Sequence, residues 1–247
     1  HWLQGKLGED RKDTGMLVKV FLETFKDKKN APGLIMKTSG AGFSVIDRED
    51  ILKKIRTIKN TVKAKTLPSV YLLHGDFTDD EMNELYNHPK VKAHVNITHG
   101  EGFGRPLLEA SISGKPVIAS NWSGHLDFLS KELSILVGGK LSQVPKSSFP
   151  KDMHIEGTEW FTVNYNEFSS VLKEVHKNYK KYTLNSLKLS KINKSLYSLD
   201  KMTKELGVML DKYVPEFPKE VKLELPKLKK VGQSETPKMK LPKLKKV

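Results

Sequence analysis

The 247-residue chain predicts an α/β fold: a Rossmann-like parallel sheet with helices on both faces, followed by a long C-terminal helix and a basic tail. Three observations carry that prediction. Short apolar runs alternate with stretches of helical periodicity over residues 1–185. A glycine-rich turn falls where one apolar run gives way to a helix. After Pro215 the composition shifts to lysine and proline.

The elements follow in order. Met16, Val20, Leu22 and Phe25 stand amid polar residues before Pro32-Gly33, as in a helix covering a sheet. Leu34-Ile35-Met36 reads as a strand. Asp47 to Val62 carries Ile51, Ile55 and Ile58 at helical spacing, with Asp47 as the expected N-cap. Val70 to Leu73 is a strand, and Thr78-Asp79-Asp80-Glu81 opens the next helix as a capping box. Val91 to Thr98 is a strand, and Pro106 to Ser113 a helix with proline in its first turn. Pro116 to Ala119 and Ser134 to Val137 are further strands. Residues 138–160, with Gly138-Gly139, Pro145 and Pro150, read as an irregular loop, functional or mobile at that length. Glu167 to Tyr182 is helical. Leu189, Ile192, Leu196, Leu199, Leu206, Leu210 and Tyr213 then mark one stripe, expected on a single helix packed against its own domain. The expected division is a Rossmann-like domain at 1–185, a long amphipathic helix at 186–214 and a disordered tail at 215–247.

Charge is unevenly placed. The net charge is +14, and residues 219–247 hold ten lysines against Glu220, Glu224 and Glu235. That tail suits an anionic partner, a nucleic acid or a membrane surface, or simply solvates the protein. Leu225-Pro226-Lys227-Leu228-Lys229-Lys230-Val231 returns unchanged at 241–247, as a docking motif would. The chain has no cysteine, which excludes disulfides and thiolate metal sites. With neither a leader pattern nor an apolar run of membrane length, a cytoplasmic protein is expected. His1-Trp2-Leu3 reads like the end of a strand, so a preceding half, or a partner chain that supplies it, is also expected.

The segment that carries chemistry is Thr98-His99-Gly100-Glu101-Gly102-Phe103-Gly104-Arg105-Pro106-Leu107-Leu108-Glu109. In open parallel sheets ligands bind at the carboxyl ends of strands, where this turn falls. Its glycines let backbone approach a ligand, and the amides that begin a helix suit a phosphate. Glu109, leaning toward the helix start, can reach the crevice of Glu101. On spacing alone, a tight turn followed by a helix-start glutamate is the plainer reading.

Glu101-Gly102-Phe103-Gly104, with Glu109 eight positions after Glu101, resembles the E-x7-E signature of retaining glycosyltransferases of GT-B family 4. Gly114-Lys115-Pro116-Val117-Ile118-Ala119-Ser120 followed by Ser123-Gly124-His125 resembles that family's next strand and second glycine turn. Gly8-Glu9-Asp10-Arg11-Lys12 resembles its basic turn, and His74-Gly75 its strand-end turn. The likeness runs in order over roughly residues 1–215 and covers the C-terminal, donor-binding half of the GT-B fold. The G-E-G-F-G-R-P wording also resembles bacteriophage-encoded members, some of which glycosylate DNA.

The resemblance implies a metal-independent hexosyl- or pentosyltransferase that takes a nucleotide-diphosphate sugar as donor, with no cofactor, and an acceptor bound mainly by an N-terminal half. It implies that Glu101 lies by the donor sugar and that Glu109 binds ribose hydroxyls. Gly102, Phe103 and Gly104 would turn their amides to the sugar and diphosphate, with Ser123 and Gly124 in the second turn. Lys12, with Arg11 or Lys6, would neutralise the leaving diphosphate. Lys6 matches the family's arginine only if Gly5 is the aligned glycine, and Ser123 stands where the family often has glycine. The sequence holds no D-x-D element in a suitable place and no histidine pair at ligand spacing. His99 and His125 flank the crevice in expected packing or hydrogen-bonding roles, and Asp79-Asp80 read as helix-start caps. Two other readings stay open: a sugar-nucleotide epimerase of the same fold, and a non-catalytic donor-binding or nucleic-acid-associated module.

Overall fold

The computed structural model describes Trp2, residues 6–148, Met153 and residues 155–215. Gly5, the repeated tail motif and the basic tail beyond Pro215 lie outside the described residues. The chain divides into two units, His1–Lys204 and Glu205–Val247.

The first unit alternates helix and strand as the periodicity demands. Its elements are α1 (Thr14–Phe25), β1 (Leu34–Lys37), α2 (Val45–Thr61), β2 (Val70–Leu73), α3 (Asp79–Asn87), β3 (His94–Asn96), α4 (Arg105–Ile112) and β4 (Val117–Ser120). Then follow β5 (Ile135–Val137), β6 (Gly139–Gln143), β7 (Glu159–Val163), α5 (Tyr165–Lys177) and α6 (Tyr179–Leu196). α7 (Leu199–Tyr213) begins in this unit and ends in the second. β1 pairs with β2 in parallel, Leu34 opposite Val70. β4 lies between β3 and β5, again in parallel, with Ile118 opposite Val95 and Ile135.

Strand alternation places the core on both sheet faces. Ile118 joins Phe21, Phe25, Ile97, Val137 and Phe168 in a cluster under α1 and α5. Its neighbours Val117 and Ala119 join Leu107, Leu108, Phe128 and Leu189 under α4 and α6. A third cluster sets Val18 and Leu22 of α1 against Met36 and the Ile51, Ile55, Ile58 stripe of α2. β4 is buried at every position, as a strand covered on both faces requires. Among the described residues, no helix is long and apolar enough to cross a membrane.

Three expectations are corrected. Asp47 does not cap α2: Ser44 is the N-cap, its hydroxyl accepting from the Asp47 amide. The Asp47 carboxylate instead takes the Gly40 amide at 2.9 Å and His74 Nε2 at 2.7 Å, tying the loop after β1 to the end of β2. Residues 138–160 are not irregular throughout, because β6 and β7 form an antiparallel hairpin with Gly139 opposite Val163. Four of the five β6 residues are exposed, so that strand has no apolar period to read, and a β-carbon at Gly139 would overlap the Thr162 carbonyl.

The third correction concerns the single helix expected over 186–214. It is two helices, and of its stripe only Leu189 is buried. The break is anchored. Asn193 is buried and donates to Ser111 Oγ (2.7 Å) and to the Phe128 carbonyl (3.2 Å), and Tyr197 Oη donates to the Asp127 carbonyl (3.2 Å). Ser198 then starts α7, its hydroxyl accepting from the Lys201 amide. α6 is held against α4 by Leu189 together with Ser190 and Asn193, and not by the rest of the leucine stripe.

Candidate functional site

Two turns leave the carboxyl ends of the adjacent parallel strands β3 and β4 and fold onto each other. The first is the Glu101–Gly104 turn. Gly104 enters the left-handed region at φ 85°, which glycine adopts without strain, and starts α4 with no side chain capping its first turn. Pro106 has no amide hydrogen and the Leu107 amide donates to the Gly104 carbonyl (2.8 Å), so in the first turn of α4 it is the Arg105 amide that is left for an anion. The second turn is Ser123–Gly124. The Gly124 amide donates to the Glu101 carbonyl (3.1 Å), and a β-carbon at Gly124 would overlap the Gly102 carbonyl. Only glycine permits that approach.

Ser123 is the unusual residue of this turn. Its φ of 81° and ψ of −171° lie in a region that glycine occupies almost alone, at a cost of about 1–3 kcal/mol for other residues. Its hydroxyl donates to the Glu101 carbonyl (2.6 Å) and accepts from the Glu101 amide (3.2 Å), so one strained side chain grips both backbone groups of Glu101.

A third turn, residues 6–13, is stitched to the first. The Arg11 carbonyl accepts from the His99 amide (3.2 Å) and from Thr98 Oγ1 (3.3 Å), while Arg11 Nη1 donates to the Gly100 carbonyl (3.0 Å). That register brings the Lys12 ammonium onto Glu101 Oε1 as an ion pair, and both side chains are largely withdrawn from water. Burial pushes the Lys12 ammonium below the usual lysine range, and the Glu101 carboxylate opposes that shift. Asp10 caps α1 through the Thr14 and Gly15 amides at 2.9 and 3.2 Å, which fixes where the turn ends.

Of the residues expected at the site, Lys12, Glu101, Gly102, Gly104, Ser123 and Gly124 meet in this cluster. Arg11 belongs to it as a backbone-binding residue. Lys6 is exposed, its amide donating to Glu9 Oε2 (3.3 Å). Phe103 is exposed, with its ring 5.2 Å from that of Phe128. Glu109 pairs with Arg105 Nε at 2.9 Å on the open side of α4, beside the Tyr86 hydroxyl. The two glutamates of the signature thus have different partners. His125 and His99 are buried beneath the turns rather than flanking a crevice. His125 Nε2 bonds the Ser120 carbonyl (2.7 Å), and His99 Nδ1 bonds the Phe161 carbonyl (2.7 Å).

Sequence reasoning missed Asp13. It follows Lys12, adopts φ 50°, and is fully buried with Tyr165 Oη donating to Oδ2 at 2.8 Å. Burial pushes its carboxyl up to about 7. A lone aspartate at a helix start reads as a cap, and nothing local announces a partner 152 residues away.

Residues 18–138 match the family model of glycosyl transferases group 1. No curated protein sequence matches the chain. Among solved structures, Anabaena HepE in complex with UDP and glucose is 12% identical with a TM-score of 0.56, over 82% of this chain and 45% of that one. Sucrose-phosphate synthase from Thermosynechococcus elongatus is 16% identical with a TM-score of 0.56, over 82% and 42%. The C-terminal domain of the group 1 glycosyl transferase LpcC from Francisella tularensis is 18% identical with a TM-score of 0.50, over 74% and 79%. The fold is the α/β architecture of GT-B glycosyltransferases, and the chain spans less than half the length of the first two structures.

Proposed function

We propose that this chain is the donor-binding half of a retaining, metal-independent glycosyltransferase of the group 1, family 4 type. The observation that carries the reading is the Lys12–Glu101 pair set beside the uncapped start of α4. A nucleoside diphosphate there meets an ammonium and a helix N-terminus, both already oriented. The solved complexes of HepE with UDP and UDP-glucose support a nucleotide sugar as the donor. Residues 1–185 would bind that donor, and a further domain or chain would bring the acceptor.

In this reading the sugar passes through an oxocarbenium-like state as its bond to the diphosphate breaks. Charge growing on the diphosphate is stabilised by Lys12 and by the Gly102, Phe103 and Gly104 amides, which need no reorganisation at the moment of reaction. Glu101 lies by the sugar, clamped by Ser123. Arg11 holds the basic turn in register, and Lys6 adds positive charge at its exposed end. Glu109 accepts from the ribose hydroxyls, exchanging its exposed partner Arg105 for the nucleotide.

Titration with UDP in chelator tests the assignment of Glu109. Its exposed pair with Arg105 adds little to stability. Glu109→Ala should therefore leave unfolding unchanged and weaken UDP binding by about 1.5–3 kcal/mol, the scale of hydrogen bonds to a charged group. Wild-type affinity in that variant would remove Glu109 from the site.

A further inference from the structure

Beneath the Lys12–Glu101 pair lie two buried polar atoms that face each other without a hydrogen-bond partner. Asp13 Oδ1 and His99 Nε2 stand 4.0 Å apart, on side chains that are 0% and 1% exposed. Buried polar groups without partners are uncommon, and two that face each other share one explanation.

The proton inventory narrows it. The Phe161 carbonyl can only accept, so His99 Nδ1 carries a hydrogen and Nε2 of the neutral ring is a bare lone pair. Tyr165 donates to Asp13 Oδ2, leaving Oδ1 as the free acceptor. An ionised Asp13 facing a neutral His99 would oppose two lone pairs in a space that excludes water. One added proton turns that repulsion into attraction. Burial favours the uncharged form of each group, raising the aspartate to about 7 and lowering the histidine, so below that pH the proton rests on Asp13, and closing the 4.0 Å gap by about 1 Å brings it onto Nε2.

We propose that Asp13 and His99 are positioning residues that hold one proton between them, and that this proton keeps the Lys12 turn in register with the Glu101 turn. Asp13 adjoins Lys12 and His99 stands two residues before Glu101, so the couple spans the same two turns as the ion pair above it. Every neighbouring element fixes it. Trp160 of β7 stacks on the His99 ring at 3.8 Å, Thr162 Oγ1 lies 3.5 Å from Nδ1, Tyr165 begins α5, and Asp10 of the same turn adds negative charge beside both groups. That added charge strengthens retention of the proton. When the proton leaves, the facing lone pairs push the turns apart and the diphosphate loses its preset cation. The consequence for the diphosphate rests on the donor reading above. The shared proton and the register it keeps do not.

The test uses the full chain uniformly labelled with ¹⁵N, its histidine ring and backbone amide shifts followed from pH 5 to 9, with UDP binding measured on the same samples. His99 should keep hydrogen on Nδ1 throughout, while its Nε2 shift moves from hydrogen-bonded to free with a midpoint that Asp13→Asn abolishes. UDP affinity should fall above that midpoint by up to about tenfold per pH unit, and Asp13→Asn, whose amide donates to Nε2 at any pH, should keep affinity and flatten the profile. A His99 Nε2 that is free at every pH, or wild type and Asp13→Asn sharing one UDP profile, would overturn the proposal. If UDP does not bind at any pH the donor reading falls, and the Glu101 and Gly102 amide shifts decide instead. They must move with the His99 midpoint for the positioning role to stand, and shifts that stay still would remove it.

Discussion

At the scale of single residues, the site is built from strained or buried groups that their neighbours over-determine. Ser123 separates strain from bonding. Ser123→Ala keeps the unfavourable backbone and loses both bonds to Glu101, whereas Ser123→Gly loses the bonds and the strain together. Urea unfolding should therefore find Ser123→Gly more stable than Ser123→Ala by about 1–3 kcal/mol. Equal stability would mean that the turn relaxes. Asp13 makes a second prediction. Its folded carboxyl titrates at about 7, against an ordinary value of 3.8, so between those limits the folded state holds a proton that the unfolded state has lost. Stability relative to Asp13→Asn should thus be highest near pH 4 and decline as pH rises to 7, by about 1.4 kcal/mol for each unit separating the two values. Unfolding midpoints of both proteins at pH 5 and pH 8 check the sign. Ser123 was legible as a departure from glycine, and Glu101 and Lys12 as a motif. Asp13 was not, because its partners are Tyr165 of α5 and His99 after β3.

At the scale of elements, the sequence was most readable where one apolar period or one cap decides the outcome. The Thr78 capping box forms as written, and the Ile51, Ile55, Ile58 stripe is the buried face of α2. It was least readable where polar groups do the packing. α6 turns Ser186, Ser190 and Asn193 inward and leaves Leu184, Leu187 and Ile192 exposed, the reverse of what periodicity assumes. Asn193→Ala should accordingly destabilise the protein by about 1–3 kcal/mol, because Ser111 Oγ and the Phe128 carbonyl both lose a buried donor. Ile192→Ala, at an exposed position of the stripe, should change stability by less than about 0.5 kcal/mol. The opposite ranking in chemical denaturation would restore the leucine stripe as the packing face. The β6–β7 hairpin was hidden for a related reason: its outer strand buries almost nothing, while its inner strand supplies Phe161 and Val163 to the core.

At the scale of the molecule, the parallel ladders deliver the Glu101 and Ser123 turns to one edge, and the residue 6–13 turn is tied to the Glu101 turn there. That edge is the one proposed to take the nucleoside diphosphate. The most direct measurement is calorimetric titration of the full chain with UDP in chelator, on wild type and on Lys12→Ala. Wild type should bind without metal, and removing the ammonium that meets the diphosphate should cost about 1.5–3 kcal/mol. Binding that appears only with a divalent cation, or that Lys12→Ala leaves unchanged, would contradict it.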